Sequence, residues 1–290
     1  MSVSVVTTCK NRTDYLLETL NSFLSQPIVS EVVVVDFDST EPVYNKLSDF
    51  LSNSKLKVLR VDNQPVWKIG LAQNIGINFA KADYILKIDS DVGIFDLKPS
   101  LELISAGNCF VRGRSQLGVS SGLVLFDKAS HISTGGYNDW ITGWGYDDGD
   151  FYRRLYAKGL TSFNFSKDDF FEIKQSFISK NVNVKTLNSV VFSDDSGLAS
   201  KPKFTALRNF IFCNIFEKKT GSKPLFKYIE TSPQLFSVEI INDPDLDKQA
   251  KNYIEIANCL AFSFYSQGFD ADDINSTPKL FELIEMIKKN

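Results

Sequence analysis

The chain has one histidine, His131, and its four cysteines (Cys9, Cys109, Cys213, Cys259) lie far apart with no C-x-x-C pair. This argues against a zinc site or a disulfide framework and fits reduced thiols in the cytosol. No apolar run approaches the roughly 18 residues that span a bilayer. The opening Met1-Ser2-Val3-Ser4 carries no charged leader region, so a cytoplasmic protein is expected. A basic excess is missing as well. With 32 Lys and Arg against 35 Asp and Glu the net charge is −3, and no global field draws the chain to nucleic acid. What is present is apolar residues, 43% of 290, enough for one large domain or for a main domain with a smaller appendage. Phenylalanine is abundant, and it clusters after Phe163.

Hydrophobic periodicity divides the chain in two. Val3–Thr7 reads as a short buried strand, followed by a helix that starts near Thr13 or Asp14 and places Leu16, Leu17, Leu20, Phe23 and Leu24 on one face. Val32–Val35 is a continuous β-branched run ending at Asp36, as in a central parallel strand. Lys57–Val61 is a third strand, Gly70–Lys81 a helix, and Asp83–Ile88 a fourth strand running into Asp89. Strands alternating with helices predict an α/β fold with a mainly parallel sheet flanked by helices. Ligands of such sheets sit beyond the carboxyl ends of the strands, which is where Asp36, Asp38, Asp89 and Asp91 fall. After about residue 170 the pattern turns helical, with helices expected over Phe204–Phe216, Tyr253–Phe264 and from Thr277-Pro278 to Lys289. The expected division is a catalytic domain over 1–170 and a mainly helical C-terminal subdomain over 171–290.

Two acidic groups carry the chemistry. Asp89-Ser90-Asp91 closes an apolar strand, and two carboxylates so placed suit a hard divalent cation, Mn²⁺ or Mg²⁺, that neutralises a diphosphate. The plainer alternative is a solvated acidic turn. Gly143–Leu155, G-W-G-Y-D-D-G-D-F-Y-R-R-L, crowds Asp147, Asp148 and Asp150 behind Trp144. Like charges this close need a compensating metal, proton or cationic partner. An aromatic beside paired carboxylates also suits a sugar, whose apolar face packs on the ring while a carboxylate takes a hydroxyl proton. The alternative for Asp147 and Asp148 is capping of the helix that follows. For Asp36 and Asp38 it is a turn in which the carboxylates cap backbone amides.

Taken in order, T-T-C-K-N-R (Thr7–Arg12), V-V-V-V-D (Val32–Asp36), A-Q-N-I-G (Ala72–Gly76) and D-Y-I-L-K-I-D-S-D (Asp83–Asp91) resemble the nucleotide-sugar-binding half of GT-A glycosyltransferases of the inverting family-two type. Ser120–Leu155 resembles the acceptor-side half of β1,4-galactosyltransferases and of bacterial chondroitin-type and capsule glycosyltransferases. The resemblance covers roughly residues 1–165. It implies the GT-A fold and transfer of a hexose or N-acetylhexosamine from a UDP-sugar to a saccharide or lipid-linked acceptor in bacterial surface polysaccharide synthesis. It also implies site roles. Asp89 and Asp91 would serve metal and diphosphate, and Thr8, Arg12, Asp36, Asp38 and Asn74 would lie around the donor. Trp144 and Gly145 would form a mobile sugar-contacting segment. Asp148 would be the general base, with Asp147 beside it binding hydroxyls.

Three positions depart from the family pattern. Gly149 stands where a third acidic residue is usual, and Gln73 replaces the common Arg of A-R-N-x-G. The downstream histidine metal ligand has no counterpart, the region near Ser176 offering hydroxyls, amides and lysine instead. His131 reads as a structural helix residue. Lys201–Tyr228 holds seven Lys or Arg against Glu217, interleaved with phenylalanines. Such a segment suits an anionic membrane surface at the inner face of the membrane, although a solvated basic edge is the preferred reading. Two rival functions are carried forward: a nucleotidyltransferase, disfavoured because Thr7–Arg12 contains no glycine, and a non-catalytic sugar-nucleotide-binding protein.

Overall fold

A computed structural model describes residues 2–105, 107–174, 202–216, 225–269 and 278–289. The expected alternation is present. Strand β1 (Val3–Cys9) leads into helix α1 (Thr13–Leu24), then β2 (Val29–Phe37), β3 (Leu56–Val61), α2 (Ile69–Phe79) and β4 (Tyr84–Lys87). Next come β5 (Val92–Ile94), α3 (Lys98–Ile104), β6 (Cys109–Arg112), β7 (Val124–Asp127), α4 (Lys128–Thr134), α5 (Asp147–Ala157), β8 (Thr161–Asn164) and β9 (Phe170–Glu172). The C-terminal part supplies α6 (Pro202–Ile215), the hairpin β10 (Leu225–Ser232) and β11 (Leu235–Ile241), α7 (Pro244–Tyr265) and α8 (Pro278–Lys289).

The main sheet runs β10-β11-β3-β2-β1-β4-β7-β6-β8. Its centre, β11-β3-β2-β1-β4, is parallel, while β7 is antiparallel to both neighbours. Every residue of β1 is buried, and so is every residue of β2 except Ser30, because helices cover both faces. That is why these strands read as unbroken apolar runs rather than alternating ones. One core layer joins Val5, Val32 and Leu86 to Leu16, Leu20 and Phe23 of α1. The opposite layer joins Val6, Val33 and Val35 to Ile75 of α2 and to Phe151 and Leu155 of α5. A third cluster is C-terminal and packs α6, α7 and α8 around Leu207, Ile211, Ala257 and Ile284.

Two features add detail to the sequence expectation. The C-terminal region is not helical throughout: β11 pairs in parallel with β3, Leu235 opposite Val58, and so extends the catalytic sheet. Phe79 of α2 seats it through edge contacts with Tyr228 and Phe236. Over 202–216 the aromatic residues do not form the exposed face that the less favoured membrane-surface reading requires. Phe204, Phe210, Phe212 and Phe216 are buried, and so is Arg208, so the aromatic side chains of this part make core rather than a membrane-facing surface. Lys201 and residues 217–224 of that segment, and the Ser176 region, lie outside the described residues. Among the described residues no helix is long and apolar enough to cross a membrane.

Candidate active site

The carboxyl ends of β1 and β4 open into a cleft of about 860 Å³. Its lining includes Thr8 and Arg12 from the end of β1, Asp89 and Asp91 after β4, and Trp144, Gly145, Asp147 and Asp148 at the entry of α5. Eight of the residues read from sequence are thereby brought to one cavity. Lys87, Lys10, Trp67, Arg112, Tyr152 and Glu172 line it as well, and sequence reasoning missed them. Lys87 had left a signal: it is a charged residue inside an apolar strand, two residues before Asp89 and so on the same face.

Lys87 is the centre of the site's electrostatics. Its side chain is 1% exposed, and its ammonium lies 3.2 Å from Asp89 Oδ1 and 3.3 Å from Asp148 Oδ1. It also donates to the Gly122 carbonyl at 2.7 Å. A side chain at Gly122 would displace this pair, since a Cβ would stand 2.7 Å from Asp89 Oδ2 and 3.0 Å from Lys87 Nζ. Burial alone would lower the lysine's pKa, but the carboxylates of Asp148 and Asp89 overcome it and hold the ammonium protonated. Burial alone would likewise raise Asp89. Lys87 and a 3.2 Å hydrogen bond from Ser120 Oγ outweigh it, and Asp89 is held below the usual carboxylate range.

The three acids of the turn have separate fates. Asp150 is buried and salt-bridged to Arg153 (3.1 Å) and Arg154 (2.7 Å), and Arg154 also donates to the carbonyl of Thr134. Asp147 is buried with Oδ2 lacking any hydrogen-bond partner. Its carboxyl is pushed up by burial and then by the charge of Asp148. Asp148 faces the cleft between Lys87 and Tyr137, whose hydroxyl is 3.5 Å from Oδ1. Burial raises Asp148 as well, against the pull of Lys87. No side chain caps α5, which begins after Tyr146 in a left-handed conformation. Asp147 and Asp148 are thus not consumed as caps, though both stand at the positive end of the helix dipole.

Three expected donor residues are placed elsewhere. Asp36 accepts from the backbone N–H groups of Ser39 and Val43 and from Arg60 at 2.8 Å, which occupies both its oxygens, and it does not line the cleft. Asp38 accepts from the Gln64 N–H and lies 3.5 Å from Arg60 Nη2. Both make the turn beyond β2, the alternative named for them. Asn74 is buried, bonding the backbone N–H and carbonyl of Tyr137 and His131 Nε2. His131 is therefore structural, as expected. Gln73, at the position of the family's arginine, donates to Thr8 Oγ1 at 3.4 Å.

Among the described residues no three His, Cys, Asp or Glu side chains form a cation cluster. The donor set that is present still suits a hard cation. Asp91 offers oxygen at the cleft wall, and burial followed by the charges of Asp89 and Glu172 raises its carboxyl, crowding that a bound cation would relieve.

Comparison with known proteins agrees with this geometry. Residues 4–111 match the family model for glycosyl transferase family 2, and residues 108–176 match that for the N-terminal domain of galactosyltransferase. No curated protein sequence matches significantly. Among solved structures, the chain is similar in fold to S. aureus TarS, with TM-score 0.50 and 18% identity, covering 77% of this chain and 45% of that one. The TarS 1-349 fragment in complex with UDP-GlcNAc gives TM-score 0.51 and 18% identity, covering 76% of this chain and 77% of that one. The same fragment in a second structure gives TM-score 0.51 and 16% identity, covering 93% and 92%. The two family matches run without a gap over the cleft just described, glycosyl transferase family 2 over residues 4–111 and galactosyltransferase over 108–176, on a fold of the GT-A type.

Proposed function

We propose that the protein transfers a hexose or N-acetylhexosamine from a UDP-sugar to a hydroxyl of a saccharide or lipid-linked acceptor, with inversion at the anomeric carbon. The setting we assign is the cytoplasmic side of bacterial surface polysaccharide synthesis. The observation that carries the reading is Asp148: a carboxylate on the cleft floor, spared from capping, beside the Asp89 group at the strand end. The galactosyltransferase-like segment supports a UDP-sugar donor, as does the UDP-GlcNAc bound to the similarly folded TarS fragment.

In this mechanism Asp148 takes the proton of the acceptor hydroxyl. The freed oxygen bonds to the anomeric carbon as the bond to the diphosphate oxygen breaks, and UDP leaves with the electron pair. One base on the face opposite the leaving group is all that inversion needs. A raised pKa makes Asp148 a better proton acceptor, while Lys87 keeps it ionised. Asp147, which lines the cleft beside Asp148, would bind a sugar hydroxyl. Trp144, more than half exposed at the cleft rim, would pack on a sugar face, with Gly145 beside it. Thr8 and Arg12 lie on the donor side, whereas Asp36 and Asp38 would act there only through the loop they shape. Asp89 and Asp91 would hold a divalent cation, which supplies positive charge for the departing diphosphate.

The test is Asp148→Asn, with Asp147→Asn beside it. Transfer should fall by roughly 10²–10⁴ in Asp148→Asn while UDP affinity barely changes. In Asp147→Asn the loss should appear in substrate binding. Near-normal turnover of Asp148→Asn would overturn the mechanism. A wild type that binds UDP yet transfers nothing would favour the non-catalytic alternative.

A further inference from the structure

Helix α6 lies outside both family matches, yet its polar side chains reach back to the acceptor-side loop. Thr205 Oγ1 donates to the Trp144 carbonyl at 2.8 Å. Asn209 Nδ2 donates to the Gly145 carbonyl at 2.8 Å. Arg208, fully buried, donates to the carbonyl and hydroxyl of Thr142. Positions 205, 208 and 209 are spaced i, i+3, i+4 and so share one face of the helix. A side-chain–backbone bond is an ordinary feature of folded loops, but three of them from one face, aimed at three carbonyls in four residues, hold that stretch at nearly every peptide. Packing reinforces them. Gly145 has φ +95°, and a Cβ there would come 2.7 Å from Ala206 Cβ, so the helix lies flush on the loop backbone. The Tyr146 ring meets Phe210 edge-on at 5.0 Å. Trp140, at the head of the same stretch, donates from its indole to Asp247 of α7 at 2.9 Å.

We infer that α6 is a clamp that sets the loop Thr142–Tyr146, with Thr205, Arg208 and Asn209 as positioning residues for Trp144 and for the turn that delivers Asp147 and Asp148. The inference rests on the transferase reading for its effect on turnover, but not for the clamp itself. The Trp144 indole is exposed to the cleft, while its backbone carbonyl is tied to α6. None of the three side chains lines the cleft. Their influence passes through the loop they hold. The C-terminal helices thereby become part of the acceptor side of the site rather than an appendage to it.

Hydrogen exchange and kinetics on Thr205→Val, Asn209→Ala and Thr205→Ser test this, using the full chain and UDP as the binding probe. Losing one loop anchor should raise amide exchange of the 142–148 segment roughly five- to tenfold, as local opening gains what the bond had opposed. Exchange in β2 should not change. Sugar transfer should fall about tenfold with UDP affinity kept, and Thr205→Ser should restore both readouts by returning the hydroxyl. Unchanged loop exchange would refute the clamp. A parallel rise in β2 would reduce α6 to general stability, and a loosened loop with undiminished transfer would refute the positioning role. A wild type without transfer of any sugar would count against the proposed function, while the exchange comparison would still decide the clamp.

Discussion

Replacing Lys87 by methionine should show how much of the site depends on one internal cation. Methionine fills the apolar length of the lysine stem but brings no charge, leaving Asp89, Asp148 and the nearby Asp147 uncompensated and the Gly122 carbonyl without its donor. At an effective dielectric near 20, each of the two contacts at about 3.3 Å carries a gross attraction of roughly 5 kcal/mol. Much of that is spent on desolvating the groups. Removing one partner of a buried ionic cluster typically costs about 3–5 kcal/mol, because the remaining charge is left buried. Unfolding entropy near 2.1 cal/mol/K per residue comes to about 0.6 kcal/mol/K for 290 residues. The melting temperature should therefore drop by roughly 5–8 °C. Thermal unfolding of both proteins in the same buffer measures this, and UDP titration of the variant while folded measures what the site loses. The variant should bind UDP more weakly, since the carboxylates then repel the diphosphate with only Arg12, Arg112 and Lys10 left as cations in the cleft lining. A melting temperature within about 2 °C of wild type, with UDP affinity intact, would mean that solvent or local rearrangement compensates the acids, and the cluster would lose its assigned organising role.

The other acids of the turn give two contrasting outcomes. Asp150→Ala should destabilise by about 3–5 kcal/mol, since it leaves Arg154 half-paired in a buried site. The variant protein that remains folded should keep its UDP affinity, checked by melting and titration. Asp147→Asn should act oppositely. The folded-state pKa of Asp147 lies above its unfolded value, so its ionised form is disfavoured in the fold. That penalty is absent below the ordinary carboxylate range and grows as pH rises through the folded pKa. The neutral asparagine should gain stability over wild type as pH goes from 5 to 8, by on the order of 1 kcal/mol. A difference in melting temperature that stays flat with pH would contradict this.

Much of the frame was legible because buried parallel strands announce themselves. Val32–Val35 has no polar residue to confuse its assignment, and the acids that end β2 and β4 fall where an open sheet presents its ligands. The placement of Asp36 away from the cleft lining has a reason the sequence does not hold. In the parallel register Asp36 stands opposite Arg60, 24 residues away, and a one-residue slip would have separated them. The same applies to α6. Thr205 and Trp144 are 61 residues apart in sequence, and nothing local to Pro202–Ile215, a stretch that reads as apolar helix, marks which polar residues turn inward. The β10–β11 hairpin was missed because its strands are largely exposed or half-exposed and lack an unbroken apolar run, their support coming from distant residues such as Phe79 and Ile75 of α2.

The acidic turn shows how one run of sequence divides into three jobs. Successive residues of a helix project about 100° apart, so Asp147 and Asp148 cannot share an environment even though they are adjacent. The first is buried with one oxygen unpartnered, and the second reaches Lys87 at the cleft. Asp150 meets arginines three and four residues on, partners already visible in F-Y-R-R at helical spacing. Composition alone makes the three carboxylates equivalent, but helical phase does not. The acid with internal arginines is satisfied before any substrate arrives and holds the helix. The two that precede it remain charged or protonated according to what the cleft contains, Lys87 being the only cation in hydrogen-bond reach of Asp148 among the described residues. Gly149 then follows from the same phase. It lies against the Tyr146 ring, where a Cβ would come 3.2 Å from that ring, so a side chain at this position would require the ring to give by a few tenths of an ångström. The Tyr146 ring thus sits between Gly149 of α5 and Phe210 of α6, and links the acidic turn to the clamp.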